Sequence, residues 1–180
     1  MPCVLTTSIS ANACKGGAGG IKRVLVKEFA NVTGFTLTAN VITAITVATG
    51  KQFREYVLAQ EMGYAKSPLA VDNKTDNMIY NHEVGFGIKK FATTTASEIK
   101  LLAQNWLIMI VQTRNDKYRV YGLGSSLANS NGLNLESATD DTGKAMTDFN
   151  GFELVFKSME DNWAFEVQSS IISALLSPAP

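Results

Sequence analysis

The sequence contains few of the residues from which metal sites and catalytic centres are usually built. Its 180 residues include only one histidine and two cysteines. A closed zinc site needs four Cys or His ligands at suitable spacing, and the whole chain offers three, Cys3, Cys14 and His82. We therefore expect no metal and no cofactor, and we interpret the two cysteines as small, half-buried thiols.

The sequence also lacks an excess of charge of either sign. Sixteen basic residues balance sixteen acidic ones, giving a formal net charge of zero. Proteins that hold nucleic acid tightly usually carry a basic surplus that displaces counterions from phosphates. Tight DNA binding is therefore not expected, whereas the absence of net self-repulsion makes self-association easier.

Long apolar runs and nucleotide-binding motifs are missing as well. No run is long enough to span a bilayer, and the first residues lack the charged and apolar regions of a secretory signal, so we expect no membrane partner and no export. In KGGAGGIKR, Lys22 does not follow a glycine directly and Arg23 replaces the hydroxyl residue of a phosphate loop. DNKTDNMIYNHE resembles a calcium loop, but Lys74 at the third position would repel the ion, so we interpret it as a solvated loop.

What the sequence does contain is a series of β-strand patterns. YNHEVGFGIKK, residues 80–90, alternates strictly, and its apolar face includes His82, which we interpret as a packed structural residue. Thr95 and Glu98 have the spacing of a capping box and predict one short helix over about 95–105. WLIMIVQT follows and is apolar on both faces, which predicts a strand covered on both sides.

The remaining segments predict further strands separated by polar loops. Candidates lie at Phe35/Leu37, Val41–Val47, Phe53–Leu58, YRVYGL, Leu133/Leu135, Phe152–Phe156 and Trp163–Val167. Eight to ten strands and one helix predict a mainly β fold, an antiparallel sandwich or barrel. We expect one domain over 1–180, with an N-terminal arm over 1–20 and a C-terminal arm over 168–180. The sparse chemistry gives no basis for an enzyme.

The order of several short pieces resembles a known family of structural proteins. Cys3 and Cys14 precede Gly19-Gly20-Ile21-Lys22, and a Gly132-Leu133 strand, a Thr142-Gly143 loop and the turn Asp148-Phe149-Asn150-Gly151-Phe152 follow in that order. Over roughly Met1 to Glu160 the chain resembles the small structural proteins of crAss-like phages and other tailed phages of Bacteroidetes, which form neck rings and tail tubes.

This resemblance implies a tail-tube-like fold and a ring that self-assembles in the host bacterial cytoplasm and becomes part of the virion. The implied ring is hexameric or dodecameric, adjoins another ring, portal-proximal proteins and tail proteins, and lets DNA pass without sequence-specific binding. The alternatives are a tube subunit of a bacterial contractile injection system and a small β-sandwich carbohydrate-binding module.

Two groups of residues follow as candidates for contacts within such an assembly. The candidate contacts between subunits are apolar and come from the doubly apolar strand and the C-terminal segment: Trp106, Ile108, Ile110, Ile171, Ile172, Leu175 and Leu176. The C-terminal four have an equal alternative, closure of their own subunit's core. The Ser137–Asp148 loop, with Asp140, Asp141, Lys144 and Asp148, is expected to face the channel or the next ring.

Overall fold

The fold is a mainly β sandwich, as the sequence predicts, with two sheets and two short α-helices. The computed structural model describes residues 18–72, 74, 77–89 and 92–176. Cys3, Cys14 and most of the predicted N-terminal arm lie outside these residues, as do the last four residues of the C-terminal arm.

The first sheet has seven strands in the spatial order β2-β3-β12-β9-β8-β1-β4. Their bounds are β1 Ile21–Glu28, β2 Val32–Thr38, β3 Val41–Val47, β4 Arg54–Val57, β8 Leu107–Thr113, β9 Tyr118–Tyr121 and β12 Glu166–Val167. All neighbours are antiparallel except β12 and β3, which pair in parallel over two residues. This parallel pair is the one departure, among the described strands, from the expected antiparallel arrangement.

The second sheet has five strands, with β10-β11-β7-β5 side by side and β6 paired to the first part of β7. Their bounds are β5 Gly63–Lys66, β6 Leu69–Asp72, β7 Asn77–Lys89, β10 Asn134–Asp141 and β11 Gly151–Glu160. The thirteen-residue β7 is the longest of the described strands and carries the alternation that the sequence shows. Its His82, Val84 and Phe86 are buried on the face towards the first sheet, which we call the inner face.

Two apolar cores lie on opposite faces of the central strands of the first sheet. In β8, Leu107, Met109 and Val111 pack into the core between the sheets, whereas Ile108 and Ile110 pack into a second core on the other side. Successive side chains of a strand point to opposite faces, so a strand between two cores is apolar at every position. The doubly covered strand that the sequence predicts is confirmed, and its own chain provides both covers.

The predicted helix is present but begins earlier than the capping box indicates. Helix α1 spans Thr93–Gln104, and its N-cap residue Ala92 makes no side-chain capping hydrogen bond. The Glu98 carboxylate instead accepts a hydrogen bond from the Tyr56 hydroxyl at 3.0 Å. Ile99 and Leu102 bury the helix against the core between the sheets. A second, five-residue helix, α2, spans Ile172–Leu176.

Candidate assembly surface

The predicted contact residues of strand β8 divide into one exposed residue and two buried ones. Trp106, just before the strand, is 53% exposed and presents its indole at the surface. Ile108 and Ile110 have no exposed surface and pack with Leu25 and Val120 in the second core. The expectation that these two isoleucines contact another subunit is therefore corrected, because their own chain already covers them.

The C-terminal candidates also belong to their own subunit's core. Ile172 and Leu175 are buried in the second core, and Ile171 and Leu176 pack against it while partly exposed. The Leu175 carbonyl accepts a hydrogen bond from the Phe53 N–H at 3.0 Å, which fixes α2 against the chain before β4. The described part of the C-terminal segment, up to Leu176, therefore follows the core-closing alternative rather than that of a free arm.

The acidic loop that the sequence predicts over Ser137–Asp148 is shorter than expected. Residues up to Asp141 form the end of β10 and pair with β11, so only 142–150 connect the two strands. In that connection the Asp148 carboxylate accepts hydrogen bonds from the N–H groups of Lys144 at 2.9 Å and Ala145 at 2.7 Å. Asp140, Asp141, Lys144 and Asp148 are all exposed, at one end of the second sheet.

His82 is a buried structural residue, as the sequence indicates. Its Nδ1 accepts a hydrogen bond from the Gly122 N–H at 3.2 Å, so the proton resides on Nε2, which donates to the Asn162 carbonyl at 2.9 Å. Burial lowers the pKa of His82 to about 4. A neutral ring with both nitrogens engaged fastens two loops to β7 and leaves no nitrogen free for proton transfer.

A buried carboxylate holds the end of the same loop, residues 122–132. Glu160 is 2% exposed, and its oxygens accept from the Asn131 N–H at 3.1 and 3.3 Å. Burial raises the pKa of Glu160 to about 6, against the opposing effect of these hydrogen bonds. Next to it, Asp161 accepts from the N–H and hydroxyl of Ser125. The loop beside Trp106 is thus fixed at its start by His82, in its middle by Asp161 and at its end by Glu160.

The outer face of the second sheet carries alternating charges from one edge to the other. Lys66 on β5 pairs with Glu83 on β7 at 2.9 Å, and Lys157 on β11 pairs with Glu136 on β10 at 3.1 Å. Because Lys157 and Glu83 lie directly opposite each other, the order across the sheet is positive, negative, positive, negative. We call these four residues the charge row. Sequence reasoning missed it because only the strand pairing brings the four side chains together.

The first four residues of β7 and their partner strand β6 extend beyond the end of the sandwich as a two-stranded ribbon. We define the β6–β7 ribbon as Leu69–Asp72 paired with Asn77–Tyr80. It carries exposed apolar side chains on both of its faces: Leu69, Val71, Met78 and Ile79. Most of this stretch is a solvated loop in the prediction from sequence, and that prediction is wrong: LAV and MIY on either side of a polar turn form a hairpin.

A groove lies at the other side of the second sheet, where β10 begins. It has a cavity volume of about 640 Å³, and we call it the Trp106 groove. Trp106 and Met159, both more than half exposed, are its large apolar side chains. Its other lining residues are small or polar and include three members of the charge row: Asn81, Glu83, Asn131, Gly132, Asn134, Glu136, Lys157 and Ser158.

Within residues 18–72, 74, 77–89 and 92–176, no group of three or more His, Cys, Asp or Glu side chains is placed to hold a metal ion. The helices of that same part of the chain are too short and too polar to cross a membrane. Comparison with protein-family models, with curated proteins and with solved structures found no match to this chain.

Proposed function

We propose that this chain is a non-enzymatic structural subunit that assembles head to tail into a closed ring of six or twelve copies. The observation that carries the proposal is the pair of free edges of the second sheet. In the described part of the chain, no strand pairs with the outer side of β10 or of β5. Free strand edges of this kind pair readily with another chain unless they are covered.

The directions of the two edge strands suit each other. Strand β5 is antiparallel to β7, whereas β10 is antiparallel to β11, which is itself antiparallel to β7. Strands β10 and β5 therefore run in opposite directions. The β10 edge of one copy can pair with the β5 edge of the next as an antiparallel ladder, and the second sheet then continues from copy to copy.

The charge row favours this pairing over others. Continuing the sheet places Glu136 at one end of the row beside Lys66 at the start of the next copy's row, so the signs keep alternating across the seam. An exposed ion pair contributes only about 0–1 kcal/mol. Its larger effect is on which edges meet and in which register.

Head-to-tail contacts of this kind produce either a closed ring or an open helix, and closure leaves no free edge in the second sheet. We assign the ring to the neck or tail of a bacteriophage virion, assembled in the host cytoplasm, with another ring, portal-proximal proteins and tail proteins as neighbours. DNA passes through it without sequence-specific binding, consistent with zero net charge. Asp140, Asp141, Lys144 and Asp148 then lie near the seam and face the channel or the adjoining ring. The tube of a contractile injection system remains the alternative assembly.

Charge reversal on the two sides of the seam tests the head-to-tail arrangement. Glu136→Lys and Lys66→Glu each place like charges across the seam, so each variant alone is expected to assemble poorly. A mixture of the two can alternate around an even-numbered ring, and every seam then joins opposite charges. We therefore expect the mixture to form rings, measured by native mass spectrometry, at concentrations where neither variant does.

The mixture distinguishes repulsion across the seam from repulsion within each subunit. Glu136→Lys also repels its own Lys157, and Lys66→Glu its own Glu83, but mixing subunits relieves neither repulsion. The exposed pair Lys117, just before β9, and Glu166 on β12 is 2.8 Å apart and supplies control reversals that should leave assembly unchanged. The proposed seam would be contradicted if each single variant formed rings by itself. It would also be contradicted if the wild-type chain formed rings and the mixture of the two variants did not.

A further inference from the structure

The β6–β7 ribbon carries four exposed large apolar side chains, Leu69, Val71, Met78 and Ile79. Val71 is 54% and Met78 60% exposed, although both lie on the continuation of the inner face that buries Val84 and Phe86 higher on the sheet. An isolated two-stranded ribbon is at best marginally stable in water. The apolar pattern of the core thus continues for several residues past the point where the chain's own core ends.

The strand register shows what lies level with this ribbon on the opposite side of the sheet. Strand β5 ends at Lys66, opposite Glu83, and the ribbon continues to Asn77, six residues further along β7. Six residues of strand span about 20 Å. On the opposite side of the sheet, β10 begins at Asn134. Asn134 pairs with Lys157 of β11, which in turn pairs with Glu83 of β7, so the three residues lie at the same level. The ribbon therefore projects below the level at which β10 starts.

The chain that enters β10 occupies this lower level. Asn131 donates its N–H to Glu160. Glu160 pairs with Tyr80, the last β7 residue of the ribbon, so Asn131 lies at the level where the ribbon begins. Gly132 follows, and a Cβ at this position would lie 3.3 Å from Trp106 Cβ. This is the Trp106 groove. When β5 of one copy pairs with β10 of the next, the ribbon of the first copy is level with the groove of the second.

We propose that the β6–β7 ribbon docks into the Trp106 groove of the adjacent copy of this chain. The inference rests on the proposed head-to-tail ring, and it assigns a specific contact to that ring. Apolar side chains are present on both faces of the ribbon, and the groove offers Trp106 and Met159 as apolar partners. Tryptophan and methionine are enriched in protein interfaces. Glu83, Glu136 and Lys157 of the charge row line the same groove, so the ribbon contact adjoins the charged part of the seam. The contact continues the seam beyond the β5–β10 ladder.

Photo-cross-linking tests the contact directly. A benzoylphenylalanine residue replaces Val71, and the variant is mixed with ¹⁵N-labelled wild-type chain before assembly and irradiation. We expect mass spectrometry to find mixed-isotope cross-links from residue 71 to peptides that contain Trp106 or Met159. The control places the same group at Val57, which is 77% exposed on β4 at the edge of the other sheet. That control should give no cross-link to the groove.

Substitution supplies an independent measurement. Met78→Asp should raise the protein concentration needed for half-maximal assembly at least about tenfold, because burial of an apolar side chain is replaced by burial of a charge. Val57→Asp should leave that concentration unchanged. Both positions are exposed, so both variants should unfold at the same urea concentration as the wild-type chain.

The outcomes distinguish this inference from the ring itself. Rings in which residue 71 cross-links elsewhere, or in which Met78→Asp assembles like the wild type, would overturn the docking contact and leave the ring in place. A wild-type chain that forms no assembly would overturn both. Cross-links to the groove together with the Met78→Asp defect would establish the contact.

Discussion

Acid should affect the stability of this fold through two buried groups that act in opposite directions. Burial lowers the pKa of His82 from 6.5 to about 4, so the unfolded chain binds this proton at a higher pH than the folded chain does. Stability is therefore lost as the pH falls from about 6.5 to about 4. One pKa unit corresponds to about 1.4 kcal/mol, so the full loss is about 3 kcal/mol.

Glu160 has the opposite effect on the free energy of unfolding. Burial raises its pKa from 4.5 to about 6, so the folded chain binds this proton first as the pH falls. Stability is gained between about pH 6 and pH 4.5, by about 2 kcal/mol. Over that range Glu160 offsets most of the loss caused by His82.

Glu160→Gln removes this compensation and makes the prediction measurable. Urea unfolding followed by tryptophan fluorescence at pH 7 and pH 4.5, at concentrations where the chain is monomeric, gives the free energy of unfolding of each variant. Between these pH values the wild-type chain should gain about 2 kcal/mol relative to Glu160→Gln. The control Glu153→Gln changes an exposed glutamate of the same strand, and its pH dependence should match that of the wild type. If Glu160→Gln also matches the wild type, Glu160 does not compensate for His82 in the way described.

Two further predictions concern stability. Gly151 has φ +149°, and a Cβ there would lie 2.1 Å from a backbone oxygen of β7, whereas a Cβ at Gly85 would contact the exposed ring of Tyr64. In urea unfolding, Gly151→Ala should therefore cost at least about 2 kcal/mol and Gly85→Ala about 1 kcal/mol or less. Equal costs would contradict this distinction between the two glycines. Leu175→Ala should lower the free energy of unfolding of the monomer by about 2–5 kcal/mol, because Leu175 is part of the second core. The control Leu101→Ala, on the exposed side of α1, should change that free energy by less than about 0.5 kcal/mol. A Leu175→Ala monomer as stable as the wild type would favour the free-arm interpretation instead.

The parts of the fold that follow from sequence are those where local pattern and burial agree. Strand β7 alternates because one of its faces meets the core and the other does not, and β8 is apolar throughout because it lies between two cores. Val41–Val47 is a strand with the bounds that the sequence indicates. In the first two cases the apolar positions in the sequence coincide with the faces of the strand that are buried.

The parts that sequence reasoning missed depend on contacts between distant segments. Nothing local to IISALL distinguishes a segment that docks on a neighbour from one that packs on its own Phe53. The capping box was wrong because α1 begins at Thr93, which places Thr95 inside the helix, and the Glu98 carboxylate accepts a hydrogen bond from Tyr56, more than forty residues away in the chain. The charge row was likewise not visible, since its four residues come from four strands.

The β6–β7 ribbon was missed for a different reason. Its strands are exposed on both faces, so they lack the alternation with which a half-buried strand is recognised. Leu69, Val71 and Met78 are nevertheless apolar, which is unusual for a segment that remains in water. A candidate contact with another chain is thus found where the sequence is apolar and the fold provides no cover.

The proposed function requires that identical copies of this chain close into a ring. The most direct measurement is negative-stain electron microscopy of the purified protein over a range of concentrations, with native mass spectrometry of the same samples. We expect annular particles whose mass corresponds to six or twelve chains. Compact monomers at every concentration would contradict it, and monomers that bind glycans would favour the carbohydrate-binding module instead.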